Sequence, residues 1–140
     1  MIRSTDADDV LAAARLRGRK VRDRILAAEG GVLSPEQVAA HLHSTTPEVE
    51  QLRRSGRVLA LSVGGQSYRY PSWQFAPEGL LPGFELVLGD LRGHDAWMQA
   101  LFFLNGNEYL DGASPLAELR CGQIDRVRRA ARAYGEHGAA

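Results

Sequence analysis

The residues able to do chemistry in this 140-residue chain suit contact with a polyanion better than catalysis. Ser44, Thr45 and Thr46 stand together, Gln51 follows, and Arg53, Arg54 and Arg69 lie close behind. Hydroxyl and guanidinium groups hold phosphate oxygens, and a glutamine amide can pair with an adenine edge. Glu48 and Glu50 interrupt the set. They repel phosphate unless one of them accepts from a cytosine amino group.

The groups that usually carry catalysis do not assemble. His41 and His43 are two residues apart, which on a helix turns them to different faces and prevents shared metal ligation. Asp95, beside His94, is better placed as the N-cap of the helix that follows than as a partner for a base. Cys121 is alone, with no nearby nucleophile signature, and is expected to be a small buried residue. Gly64-Gly65 lacks the following Lys-Ser/Thr of a phosphate loop. No catalytic set, metal site or cofactor is expected, and the chain reads as a non-enzyme.

The polar cluster depends on the elements around it. Ser34-Pro35-Glu36-Gln37 predicts a capped helix start, with that helix ending near His43. Thr46-Pro47 opens the next helix, which stops at Ser55-Gly56. Val38 and Leu42 on the first helix and Val49 and Leu52 on the second supply apolar contacts, and Ala39 allows close approach. His43 falls where the backbone must turn left-handed. Val58–Val63 and Gln66–Tyr70 then flank Gly64-Gly65 as a hairpin. In that register Leu61 faces Tyr68 and Leu59 faces Tyr70, leaving Ala60, Ser62, Ser67 and Arg69 on the outward face. Helix, tight turn, helix and hairpin is the order of a winged helix-turn-helix.

Around this unit lie further helices. Thr5 and Asp8 resemble a capping box opening a helix that runs to about Ala28, with Gly18 as a point of interruption. Arg15–Arg24 holds six basic residues and one acid, which suits either a solvated helix face or a phosphate-contacting stripe. Pro77, Gly79, Pro82 and Gly83 mark a linker. Phe84–Arg92, Ala96–Leu104, a Ser114-capped segment ending at Gly122, and Ile124–Tyr134 read as helices. The expected fold is mainly α with one small β-hairpin. Residues 1–75 would form an N-terminal helix plus winged helix-turn-helix, 76–83 a linker and 84–140 a helical domain.

Composition narrows the partners. Seventeen Lys+Arg balance seventeen Asp+Glu, but residues 1–72 carry eleven bases to eight acids and residues 73–140 carry six to nine. The two halves therefore suit different partners. No apolar run reaches the roughly 20 residues of a membrane span, and the polar N-terminus does not read as a signal peptide. A cytoplasmic protein with no membrane partner is expected.

The most distinctive stretch is Trp97–Gly122. Its Trp97, Phe103, Leu104, Asn105, Leu110, Gly112, Ser114, Pro115, Leu116, Leu119 and Gly122 resemble the toxin-binding domain of Xre/MbcA/ParS-type antitoxins. The resemblance covers about residues 84–140. Tyr70–Phe75, leading out of the hairpin, looks like the DNA-binding module joined to that domain in part of the family, and departs from the larger Xre domain found elsewhere. The resemblance implies a type II antitoxin. Its partner would be a RES-domain toxin, an NAD-depleting enzyme whose cleft the C-terminal domain blocks while the N-terminal domain represses the shared operon. By region it assigns toxin contact to the last helix and tail, with Arg128, Arg132, Tyr134, Glu136 and His137 as candidates and Gly138–Ala140 slender enough to enter a cleft.

Two other readings fit the same residues. One is a stand-alone helix-turn-helix regulator whose C-terminal helices dimerise it. The other is a toxin-binding or scaffold protein that does not bind DNA, as Glu48 and Glu50 would suit. Operator DNA and a homodimer are expected under the antitoxin and regulator readings, since helix-turn-helix proteins read paired half-sites.

Overall fold

A computed structural model describes the backbone of residues 4–135 and the side chains of residues 7–135. The chain is mainly helical with small antiparallel sheets. It opens with the long helix α1 (Ser4–Ala27), a 3₁₀ turn, and the two-residue strand β1 (Val32–Leu33). Helices α2 (Pro35–His41) and α3 (Thr46–Arg54) follow, then strands β2 (Leu61–Gly64) and β3 (Ser67–Pro71). The short strands β4 (Phe75–Ala76) and β5 (Gly79–Leu80) lead to α4 (Phe84–Asp90), α5 (Ala96–Leu104), α6 (Pro115–Arg120) and α7 (Ile124–Ala133).

Most helix starts are where the sequence places them. Ser34 and Gln37 form a reciprocal capping box on α2, with Pro35 in its first turn. Asp95 caps α5 by accepting from the Met98 N–H at 3.0 Å. Ser114 caps α6, accepting from Ala117 N–H. The start of α1 differs: the chain is already helical at Ser4, so Thr5 is an interior position and not a cap. Gly18 does not interrupt α1, which runs unbroken to Ala27. An isolated glycine costs a helix about 1 kcal/mol, which is too little to break one this long.

The sheet corrects the expected hairpin. Leu61 pairs with Arg69 and Ser62 with Tyr68, and a bulge then brings Gly64 opposite Ser67. The extra residue slips the register, and a one-residue slip moves side chains to the other face. Leu61 therefore does not face Tyr68, nor Leu59 Tyr70, and Arg69 shares the face of Leu61 rather than that of Ser62. Strand β3 also pairs with β1, which the sequence reading missed, giving the order β1-β3-β2.

This slip turns the hairpin into a wall with two buried faces. Val58, Ala60, Tyr68 and Tyr70 pack with Val38, Ala39 and Val49 of the helix pair. Leu59 and Leu61 point the other way, into the larger core with Phe84, Val87, Phe103 and Val127. Trp73 and Ile25 join that second core, so residues from the first half help to close the helical block. Phe84 stacks on Phe103 with ring centroids 4.7 Å apart, and Trp73 meets both rings. Residues 76–83, expected as a linker, begin as the tight β4–β5 hairpin, with Phe75 opposite Leu80.

One buried polar side chain locks the wall. Gln74 is fully buried; its Oε1 accepts from Leu59 N–H at 2.9 Å, and its Nε2 donates to Leu59 O at 2.8 Å and Pro71 O at 3.1 Å. The amide thus gives Leu59 the donor and acceptor that a neighbouring strand would otherwise supply.

Candidate nucleic-acid interface

The helix pair carries the polar cluster. Helix α2 ends at His41, and the chain then turns through His43, whose φ of +53° is left-handed. The Ser44 N–H donates to Ala39 O at 2.8 Å, closing the turn. Thr45 then caps α3, its hydroxyl accepting from Glu48 N–H at 3.3 Å, with Pro47 in the first turn. Val49 is fully buried between the helices, which fixes which face of α3 looks outward. Gln51 and Arg54 are exposed on the side away from Val49, and Thr45, Thr46 and Glu48 are exposed at the N-terminal end.

The charges on α3 are paired among themselves. The Ser44 hydroxyl donates to the Glu48 carboxylate, and Glu50 accepts from the guanidinium of Arg53. Glu50 also meets Arg54 Nε at 3.3 Å. The Arg53 hydrogen bond above all holds the Glu50 carboxyl below its ordinary value, against an opposing effect of burial, and the charges of Arg53 and Arg54 add to the lowering. Arg53 sits over the Tyr68 ring, its guanidinium carbon 4.1 Å from the centroid, and its side chain is only 21% exposed. Arg54, at 67% exposed, is the more open of the two arginines that share Glu50. Glu48 is thus drawn toward Ser44 in the turn before α3 and Glu50 toward the arginines of its own helix, which reduces their repulsion of an approaching anion.

The hairpin places its polar residues less generously. Ser62, Gly64, Gly65, Gln66 and Ser67 are exposed, as is Val63. The half-buried Arg69 bends back to donate to Tyr68 O at 2.8 Å. Beside β2 runs a cleft whose other wall is Arg19, Arg22 and Leu26 of α1 with Trp97 of α5. Arg22 sits over the Trp97 ring at 5.1 Å. The basic stretch of α1 therefore lies next to the hairpin, a proximity that no spacing in the sequence reveals.

The candidates at the C-terminal end are distributed differently. Arg128 forms a two-pronged pair with Asp90, at 2.9 and 3.2 Å, and Arg132 Nε lies 3.6 Å from the same carboxylate. Arg128 above all holds the Asp90 carboxyl below its usual range. Tyr134 is half-buried against Phe102 and His94, and burial pushes its phenol up. Glu136, His137 and the Gly138–Ala140 tail lie outside the described residues. Cys121, expected to be buried, is exposed at the C-cap of α6. Leu116 and Leu119 take the inward positions of that helix, and the two-residue offset from Leu119 turns Cys121 outward. His41, meanwhile, donates from Nε2 to Ala76 O at 2.7 Å and meets the edge of Phe75, which ties α2 to β4.

No protein-family model matches this chain, and no curated protein does. Among solved structures it is similar to the NMR structure of Rv2175c, with a TM-score of 0.63 and 22% identity. The likeness covers 77% of this chain and 83% of that one. At this identity it is a likeness of fold.

Proposed function

We propose that the protein is a DNA-binding regulator of winged helix-turn-helix type, with α3 as the helix that enters the major groove and β2–β3 as the wing. The observation that carries this reading is the exposed surface of α3: Thr45 and Thr46 open at its N-terminus, and Gln51 and Arg54, three residues apart, on the side turned away from the buried Val49. Thr45 and Thr46 sit at the helix N-terminus, where hydroxyls and free backbone N–H groups suit a phosphate. Gln51 reaches a base edge from the middle of the helix, and Arg54 holds the backbone. The β1-β3-β2 sheet supports the wing assignment by fixing the hairpin to the helix pair.

Neutral overall charge and the internal pairing of Glu48, Glu50 and Arg53 favour modest affinity for one copy, so specific binding is expected from two copies on paired half-sites. Selection from a pool of random duplexes with the full-length protein tests the reading. Recovery of a two-fold repeated motif is expected, and an unchanged pool after selection would refute it.

A second reading adds toxin sequestration by the C-terminal helices, as in an Xre/MbcA/ParS-type antitoxin opposing a RES-domain toxin. The Trp97–Gly122 motif favours it, since its turn and cap residues build one continuous unit: Asn107 N–H donates to Ala113 O, and Ser114 caps α6. In that role Arg132, Tyr134 and the segment after it would meet the toxin, with Arg128 held in place by Asp90. Co-expression with the product of the adjacent gene, scoring growth and co-purification, decides between a regulator alone and an antitoxin.

A further inference from the structure

Residues 7–20 of α1 are all exposed, although they continue a helix whose last two turns are packed. Val21 and Ile25 lie against the core, and with Ala28 they border Leu101 and Leu104 of α5. The spacing of that packed stripe does not end at Val21. Ala7, Leu11, Ala14, Gly18, Val21 and Ile25 alternate steps of four and three, the repeat of helices that pack along their length. Leu11 is 51% exposed and the neighbouring Val10 66%. A helical stretch of this length is marginal in water on its own, and Gly18 weakens it further.

Charge says what covers this face. Asp8 and Asp9 lie toward one end of the exposed stretch, and Arg15, Arg17, Arg19 and Lys20 toward the other. A parallel neighbour of the same sequence would set acid on acid and base on base. An antiparallel copy sets each end on its opposite. With the two-fold axis between Ala12 and Ala13, Leu11 meets Ala14 of the second copy and Ala7 meets Gly18, large against small and small against none. Asp8 then comes within about 3 Å in height of the second copy's Arg15, on the same flank of the seam, twice by symmetry. The paired positions Ala7–Gly18 all precede Val21, where the helix meets its own core. DNA would match the basic end alone and leave Asp8, Asp9, Val10 and Leu11 uncompensated.

We infer that the exposed half of α1 is a self-association surface, on which α1 of a second copy of this chain packs antiparallel through Ala7, Leu11, Ala14 and Gly18, with Asp8 opposite Arg15. The inference concerns protein–protein contact and holds whether or not the protein binds DNA.

The test is sedimentation equilibrium of the full chain without DNA over a wide concentration range. A dimer of twice 15.3 kDa is expected. Leu11→Asp should leave it monomeric, and since Leu11 is exposed the variant keeps its fold, checked by circular dichroism. Asp8→Arg and Arg15→Asp should each weaken the dimer about tenfold by placing like charges opposite one another, and the double variant should restore it. A wild-type monomer at every concentration would overturn the inference, as would a dimer indifferent to Leu11→Asp. Loss in both single variants without recovery in the double variant would overturn the antiparallel register. Basic-residue variants that leave the mass unchanged but weaken DNA binding would make α1 a DNA arm instead.

Discussion

Replacing Gln74 by leucine tests the two-sided hairpin more sharply than any apolar truncation. The substitution keeps the volume and removes three hydrogen bonds, two to Leu59 and one to Pro71, all in a fully buried position. Each such bond contributes about 1 kcal/mol net, and leaving the Leu59 N–H and C=O buried without partners adds to the loss, so about 3–4 kcal/mol is expected. Against a total stability of about 5–15 kcal/mol this is a large fraction, and the melting temperature should fall by about 10 °C. Urea unfolding followed by tryptophan fluorescence reads the change, because Trp73 lies beside the substituted residue. Gln74→Glu gives a second readout. Its carboxylate would face the Leu59 and Pro71 carbonyls, so burial raises its pKa, and the variant should gain stability relative to wild type as the pH falls and the acid becomes a donor. A loss below about 1 kcal/mol for Gln74→Leu would refute the view that this amide stands in for a missing strand.

Asp90 should govern part of the acid stability. Its folded-state pKa lies below the ordinary 3.8, so its contribution is complete above that value and disappears as the pH falls through the folded pKa. Asp90→Asn should cost about 1–2 kcal/mol at neutral pH and flatten the loss of stability below pH about 4, measured by urea unfolding at several pH values; an unchanged acid slope would contradict the Arg128 pairing. Gly106 should resist change for a steric reason, since a Cβ there would lie 2.6 Å from Gly112 O. Gly106→Ala should lower stability by about 1–3 kcal/mol in thermal unfolding, and a neutral result would mean that the Asn105–Gly112 turn is free to move. Thr45→Ala should cost about 1 kcal/mol through the α3 cap, and Thr45→Ser should recover most of it.

The helix pair was legible because its signals are local. Ser34-Pro35-Glu36-Gln37, the Thr46-Pro47 start and the left-handed His43 each act over a few residues, and each recurs in the structure. The hairpin existed in the sequence, but its register did not, because Gly64 can end a strand or enter a bulge with equal ease. Once the bulge forms, Leu59 and Leu61 are committed to one core and Tyr68 and Tyr70 to the other. Strand β1 was invisible since Val32-Leu33 is two residues long and gains its identity only from β3. Gln74 was missed for a related reason: its partners are Leu59 and Pro71, and nothing about an isolated Gln indicates burial. In the candidate site the residue types on α3 were readable, whereas the locking of Arg53 by Glu50 and Tyr68 depends on the hairpin being in place. The pairing of Arg128 and Arg132 with Asp90 likewise needs α4 and α7 side by side.

The central claim is that the exposed face of α3 reads DNA. The most direct measurement is the affinity of wild-type, Gln51→Ala and Arg54→Ala proteins for a duplex recovered by selection and for a scrambled duplex, across a range of salt. The account predicts that Gln51→Ala narrows the gap between the two duplexes by about 1–3 kcal/mol. It predicts that Arg54→Ala weakens both alike and reduces the salt slope by about one. Wild-type protein that binds the two duplexes equally, or variants indistinguishable from it on both, would contradict the account.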